Sequence, residues 1–275
     1  MKTLNLILIF ANIFLYSSIF IYLSSEDFLL VPDVGQGKSF ILKEGKNIIV
    51  YDTGKDDFKI LKSLNNNLPF FKRNLDIVII SHADVDHYLS LNSLSDKYEI
   101  RLLLINKTSL NDDNFKELLK NLEKKKIKIF FIDKGDKIIL KKTNLLVLHP
   151  DKVYYKDNDN SLVIYGRREN FSFLFTGDVE KEGIEKNLKK YTNLLKNLSL
   201  LDFPHHGSKY SLVKEFFEVI DPKIIVIQSG FNRYGHPHKE VLEFFKNKNL
   251  WLTQRNGDLK IVFGKEWYNI IGKDR

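Results

Sequence analysis

Hydrophobic positions divide this chain into one unbroken apolar run and a long series of short ones. From Leu4 to Leu23 the sequence reads LNLILIFANIFLYSSIFIYL, about 20 residues without a charge, the length an α-helix needs to cross a bilayer. Lys2 lies before the run and Glu26 and Asp27 lie after it, so the positive-inside rule places the rest of the chain outside the cytoplasm. The run is longer than the roughly 7 to 15 apolar residues of a signal-peptide core, and no A-x-A site follows it. The pattern predicts an N-terminal membrane anchor or uncleaved signal over residues 1–25 and one folded domain over 26–275.

Past the anchor, short β-branched runs alternate with Gly, Pro, Asn and Asp turn signals: FLLVPDVGQG, SFILKEGKNIIVYDTG, LDIVIIS, IRLLLIN, IKIFFID and DKIILKKTNLLVLHP. Such runs read as strands. A second group follows in SLVIYGRRENFSFLFTGD, LSLLDFPHHG, KIIVIQSG and LWLTQRNGDLKIVFG. Between them, Phe115, Leu118, Leu119 and Leu122 recur at helical spacing within Asp112 to Lys126, and helices are also expected at Ser211 to Ile220 and Lys239 to Asn247. No Pro- or Gly-rich linker separates the two strand groups. The expectation is a single α/β sandwich of two mixed sheets between helices.

Composition limits the chemistry. With 275 residues, 43% hydrophobic and 28% charged, the chain has the makeup of one globular domain plus an anchor, and two catalytic domains would not fit. A net charge of +8 favours polyanions or anionic surfaces as partners, although the excess is mostly lysine. Cysteine is absent, which excludes disulfides and thiolate metal sites, so any metal must use histidine and carboxylate ligands.

One segment stands out. His82-Ala-Asp84-Val-Asp86-His87 follows the strand LDIVIIS directly and puts four potential ligands within six residues at a strand end, a metal-site constellation. The pattern resembles the HxHxDH signature of the metallo-β-lactamase superfamily, with Asp84 in place of the second His. Three further segments match that family in order and spacing: Tyr51-Asp52-Thr53-Gly54, Phe175-Thr176-Gly177-Asp178 and Pro204-His205-His206-Gly207-Ser208. With Asp33-Val-Gly35-Gln36-Gly37, Asn160-Ser161-Leu162-Val163 and Arg233-Tyr-Gly-His236-Pro-His238, the set resembles the C-terminal metallo-β-lactamase-like domain of the ComEC family of competence DNA-uptake proteins, over about Leu29 to Phe263. The chain departs from that family in having no room for a multi-helix channel, in Tyr88-Leu89-Ser90 where Gly-Gly is usual after the metal motif, and in Lys38 where Asp follows DVGQG.

The resemblance implies a metallo-β-lactamase αβ/βα sandwich and a hydrolase that holds two divalent ions, Zn or Mn. His82 and Asp84 would hold one ion and Asp86, His87 and His206 the other, with Asp178 between them. His205, His149, Asp157 and Asn158 are weaker ligand candidates, the last three because the third metal motif reads LHPDKVYYKDNDNS. Asp52 and Asp33 would support the metal loop. Such a paired site acidifies a water and clamps a phosphate for in-line attack. Asp86, His236 and His238 are the expected catalytic residues, the two histidines as proton donors, and Arg233, His205 and Ser208 the expected substrate contacts. The expected activity is a phosphodiesterase or nuclease acting on DNA outside the membrane. The competing expectations are a hydrolase of another exported substrate, such as a cell-wall phosphodiester or a lactone, and an inactive metal-binding accessory to a competence channel encoded elsewhere.

Overall fold

The computed structural model describes residues 2–23, 26–264 and 268–272, with side chains described from residue 5 to 17 in the first of these segments. Lys2–Leu23 forms one helix, α1. Its described apolar side chains, Leu6, Phe10 and Phe14 among them, are exposed. Among the described residues no helix is long and apolar enough to cross a membrane, so the span expected at 4–23 is not established by the fold.

The first sheet begins with β1 (Asp27–Val31), β2 (Ser39–Glu44), β3 (Asn47–Thr53), β4 (Asn74–Ile80), β5 (Glu99–Ile105) and β6 (Lys128–Phe131). The second contains β7 (Lys137–Ile139), β8 (Thr143–His149), β9 (Val163–Arg168), β10 (Phe171–Phe175), β11 (Leu200–Asp202), β12 (Ile224–Ile227) and β13 (Asn249–Leu252). The chain then returns to the first sheet with β14 (Leu259–Phe263) and β15 (Tyr268–Gly272). The orders are β15-β14-β1-β2-β3-β4-β5-β6 and β13-β12-β11-β10-β9-β8-β7. The expected two mixed sheets are present, and β15 is an addition that YNIIG, bounded by charge, did not signal.

Strands β3 to β6 are parallel neighbours, as are β10 to β13. Parallel pairs need crossovers, and short helices supply them. In the first half these are α2 (Asp57–Asn67), α3 (Val85–Tyr88), α4 (Leu91–Lys97) and α5 (Asp113–Lys124); in the second they are α6 (Lys181–Lys186), α7 (Thr192–Leu195), α8 (Lys214–Ile220) and α9 (Lys239–Phe244), with α10 (Thr253–Asn256) before β14. Helix α5 begins where Asp112 accepts a hydrogen bond from Phe115 N at 2.7 Å, an N-cap. The helices expected in the sequence are found, α5 shorter at both ends, α8 starting later at Lys214 and α9 ending earlier at Phe244.

The central strands read as continuous apolar runs because both sheet faces are buried there, whereas the edge strands β6, β7 and β15 are largely exposed. Leu29, Phe40 and Tyr51 face Val147, Phe173 and Phe175 between the sheets, with Phe40 and Phe175 stacked at 4.2 Å. Alternate residues, such as Val50, Val78 and Leu103, face α2, α4 and α5. Leu174, Leu201 and Ile225 pack under α8 and α9 on the other side. The layers are therefore helix, sheet, sheet, helix. The carboxyl ends of the parallel strands from both sheets meet at one rim, where ligands bind in open α/β sheets.

Candidate metal centre

Four strand ends converge on that rim. β3 delivers Asp52, β4 runs into Ser81 and His82, β10 runs into Asp178, and β11 runs into His205 and His206. The turn before Asp178 depends on Gly177, whose φ is +51° and whose missing Cβ would stand 2.7 Å from the Ser161 Cβ; an alanine has no room there. Residues His205, His206 and Gly207 follow in the left-handed region at φ 50°, 54° and 88°. Two successive non-glycine residues in that conformation store strain of the kind found at functional sites.

Hydrogen bonds fix the orientation of three rings. His87 Nδ1 donates to Asp52 Oδ2 at 2.7 Å, and His206 Nδ1 donates to the Gln228 carbonyl at 2.8 Å. His82 Nδ1 stands 3.0 Å from Ser81 Oγ, which donates to Asp52 at 2.8 Å. With each Nδ1 occupied, Nε2 is the nitrogen that faces inward on each ring, the arrangement typical of metal-ligating histidines.

His82 Nε2, His87 Nε2, His206 Nε2 and Asp178 Oδ1 are buried without a hydrogen-bond partner, although buried polar atoms are nearly always paired. They lie close together. His87 Nε2 is 3.2 Å from Asp178 Oδ1, and His206 Nε2 is 3.3 Å from Asp178 Oδ2 and 3.2 Å from Asp86 Oδ2. Two ligands bound at about 2.0 to 2.1 Å to one tetrahedral ion stand roughly 3.3 Å apart, so the donor set fits divalent cations. Two groupings have suitable spacing, His82 with His87 and Asp178, and Asp86 with His87 and His206. Asp178 lies between His87 and His206 as expected of a shared carboxylate. His87 belongs to both groupings, whereas the motif assigned it to the second alone.

The charges respond accordingly. Burial would raise the Asp178 carboxyl, but the neighbouring His206, His87 and His205 hold it well below the carboxylate range. Burial would lower His206, yet the adjoining Asp178 and Asp86 lift it to about 9. Burial and the surrounding His205, His206 and His238 rings push His236 down to about 4.

The remaining predicted residues divide into those near the cluster and those with other tasks. Asp84 Oδ2 is 3.3 Å from His82 Nε2, and Asp157 lines a cavity of about 140 Å³ together with His82 and Asp84. Asn158 instead approaches Glu180 and His205, at 3.4 and 3.5 Å. His149 is kept apart from the cluster: Asp159 O and Asn187 Nδ2 occupy its ring nitrogens at 2.6 and 3.0 Å, and burial pushes it down to about 4. Ser208 is buried, and its hydroxyl accepts from Tyr210 N at 3.3 Å, so it closes a turn and does not open to substrate. Asp33 accepts from Gly35 N at 3.0 Å and pairs with Lys59 at 3.3 Å, and the turn it shapes leads to Lys38, whose N–H donates to Asp86 O at 3.2 Å. His236 packs 5.1 Å from His205 and 4.9 Å from His238 at the mouth, and Arg233 is exposed beside them.

Three residues carry work that the motifs did not assign. Ser161 accepts the Asp178 N–H at 2.9 Å. Glu180 Oε1 stands 3.3 Å from His205 Nδ1; the hydrogen bond with His205 holds its carboxyl down at about 2. Asp202 binds the Lys38 ammonium at 2.8 Å, both side chains having zero exposure. Lys38 therefore replaces the expected Asp with a paired cation under the Thr176-Gly177-Asp178 turn. Tyr88, where the family has Gly, fills the core against Phe115 at 4.7 Å.

The metallo-beta-lactamase superfamily model matches residues 32–230. Over 267 residues the chain is 28% identical to ComE operon protein 3 of Bacillus subtilis, covering 88% of this chain and 34% of that protein. It is 29% identical over 217 residues to Recombination protein 2 of Haemophilus influenzae, covering 77% of this chain and 25% of that protein. The chain thus spans about a third and a quarter of the length of these curated relatives. The metallo-beta-lactamase fold protein YhfI of Bacillus subtilis superimposes with a TM-score of 0.58 at 13% identity, over 89% of this chain and 100% of that one, a likeness of fold. A family match that contains the whole histidine and carboxylate cluster makes this protein a member of the metallo-beta-lactamase superfamily of metal-dependent hydrolases, similar within it to ComEC-type competence proteins.

Proposed function

We propose that this protein is a phosphodiesterase that uses two divalent ions, Zn or Mn, to cleave DNA on the outer side of the cytoplasmic membrane, with α1 as its anchor. The observation that carries the reading is Asp178 set between His87 and His206, with three inward-facing Nε2 atoms lacking protein partners. The names of the two relatives, a ComE operon protein and a recombination protein, support DNA as the polymer and a competence channel protein as a partner.

Held by His82, Asp84, Asp86, His87, Asp178 and His206, with Asp157 beside His82, the ions would polarise phosphoryl oxygens and acidify water. The chain's own groups complete the site. Asp52 and the Gln228 carbonyl fix the rings of His87 and His206, so little reorganisation is needed when charge develops on phosphate. His238 Nδ1 accepts from Lys209 N at 3.3 Å, which leaves its Nε2–H to serve the leaving oxygen. His236, neutral at pH 7 because its pKa lies near 4, shapes the mouth. Arg233 offers an exposed cation to a neighbouring phosphate.

The test uses the full chain in detergent, with bound metal measured by mass spectrometry and hydrolysis followed on oligodeoxynucleotides and bis-p-nitrophenyl phosphate. Turnover should depend on Mn or Zn and be lost in Asp86→Asn, and His238→Ala should lower kcat on DNA roughly a hundredfold. Two bound ions with no turnover of any phosphodiester would overturn the reading in favour of an accessory metal protein.

A further inference from the structure

Two tyrosines stand exposed at the mouth of the cluster, Tyr210 at 61% and Tyr234 at 60%. A tyrosine offers a large apolar face with a polar end, suited to a binding surface that is partly wet. Neither is isolated. The Tyr234 ring lies 5.8 Å from His236 at an interplanar angle of 32°, and His236 lies 6.4 Å from His206 at 27°. Two near-parallel ring steps thus lead from the surface to a metal-facing histidine. Tyr210 lies 6.3 Å from His238, which is 4.9 Å from His236. Each tyrosine also carries a cation over its face, Arg233 at 5.7 Å and Lys209 at 5.6 Å.

Exposed aromatic faces coupled to cations are the elements that hold unpaired nucleic-acid strands: bases stack on the rings while the cations follow the phosphates. A base inside a duplex has no free face to offer. We propose that Tyr210 and Tyr234 are base-stacking platforms beside the His236 and His238 rings that make this protein select single-stranded over double-stranded DNA. The inference rests on the phosphodiesterase reading and assigns its specificity to these two residues. The backbone supports the placement. Asn232 Oδ1 accepts from both Tyr234 N and His236 N at 3.0 Å, and Ser208 Oγ accepts from Tyr210 N, so both rings are carried on turns tied to the ligand loop.

The experiment measures binding of a fluorescent oligothymidylate and of a duplex of equal length to the full chain by anisotropy, alongside KM and kcat for both. The wild type should bind the single strand more tightly. Tyr210→Ala and Tyr234→Ala should each weaken single-strand binding roughly tenfold, the scale of losing one stacked base, with the loss in KM and the single-to-double preference reduced. Tyr→Phe at either position keeps the ring and should restore wild-type binding. Unchanged single-strand affinity in both alanine variants, equal weakening for duplex, or no rescue by Phe would overturn the inference. Because binding is read separately from turnover, a wild type that prefers single strands but hydrolyses nothing refutes the phosphodiesterase reading and leaves the stacking assignment standing.

Discussion

Replacing Lys38 with methionine tests how the centre is held. Lys38 Nζ binds both Asp202 oxygens, at 2.9 and 2.8 Å, and the Phe203 carbonyl at 3.0 Å. Asp202 in turn receives Thr176 N at 3.2 Å and Thr176 Oγ at 3.0 Å. One buried pair therefore ties the end of β10, which leads to Asp178, to the end of β11, which leads to His206. Burial pushes the Asp202 carboxyl up even with the ammonium beside it, so the pair does not fully recover its desolvation. Removing one partner of such a pair costs about 3 to 5 kcal/mol, a large part of a typical 5 to 15 kcal/mol stability. For a domain of this size that corresponds to a melting temperature lower by roughly 10 °C. Without Lys38 the Asp202 pKa would rise further above its unfolded value. The folded state would then hold a proton that the unfolded state has released, so the loss should shrink as pH falls. Lys38→Met with Asp202→Leu removes both charges and should recover most of the stability. The assay is thermal and urea unfolding by circular dichroism at pH 5 and 8, with metal content measured in parallel. A loss below about 1 kcal/mol in Lys38→Met, or a double variant weaker than the single, would refute the reasoning.

Other expectations follow from single contacts. Asp178→Ala should lose at least one bound ion and nearly all turnover, because a shared carboxylate couples both positions; two tightly retained ions would reject the assignment. His149 is buried and held near 4, so the unfolded chain takes up its proton first as pH falls below the ordinary value near 6.5. Stability from this residue is present above pH 6.5 and decreases between 6.5 and 4 by up to about 3 kcal/mol, and His149→Gln should remove that part of the pH slope in urea titrations. Protease added to intact cells should degrade the domain after Glu26 if α1 anchors it outside. Full protection, with release of a soluble protein on lysis, would exclude that topology.

Much of this protein was legible in its sequence because the relevant signals are local. Strand runs are short, apolar and bounded by turn residues, and continuous where both faces are buried, so β1 to β14 follow from runs such as LDIVIIS and FSFLF. The segment from His82 to His87 places four candidate ligands within six residues, and the fold brings three of them, His82, Asp86 and His87, into groupings with metal-ligand spacing. Helix α5 announced itself by four leucine and phenylalanine positions, and the structure added the Asp112 cap. Helices α2 and α4 did not, because LKSLNNN and LNSLSDK are mostly polar and are held by one buried edge each. What the tertiary structure decided is partnership across long separations. Lys38 meets Asp202 at a sequence distance of 164 residues, and only the closing of two sheets on each other gives the lysine a buried counterion. Packing within the second half turned His149 towards Asp159 and Asn187, and the closure put Asp157 on one cavity with His82 and Asp84. It also put Tyr234 in line with His236 and His206. Residue types and short spacings are written along one strand, but which ring nitrogen faces inward depends on hydrogen bonds from a neighbouring strand of the same sheet, Asp52 for His87 and the Gln228 carbonyl for His206, and only the packing of the two sheets brings those rings to one centre.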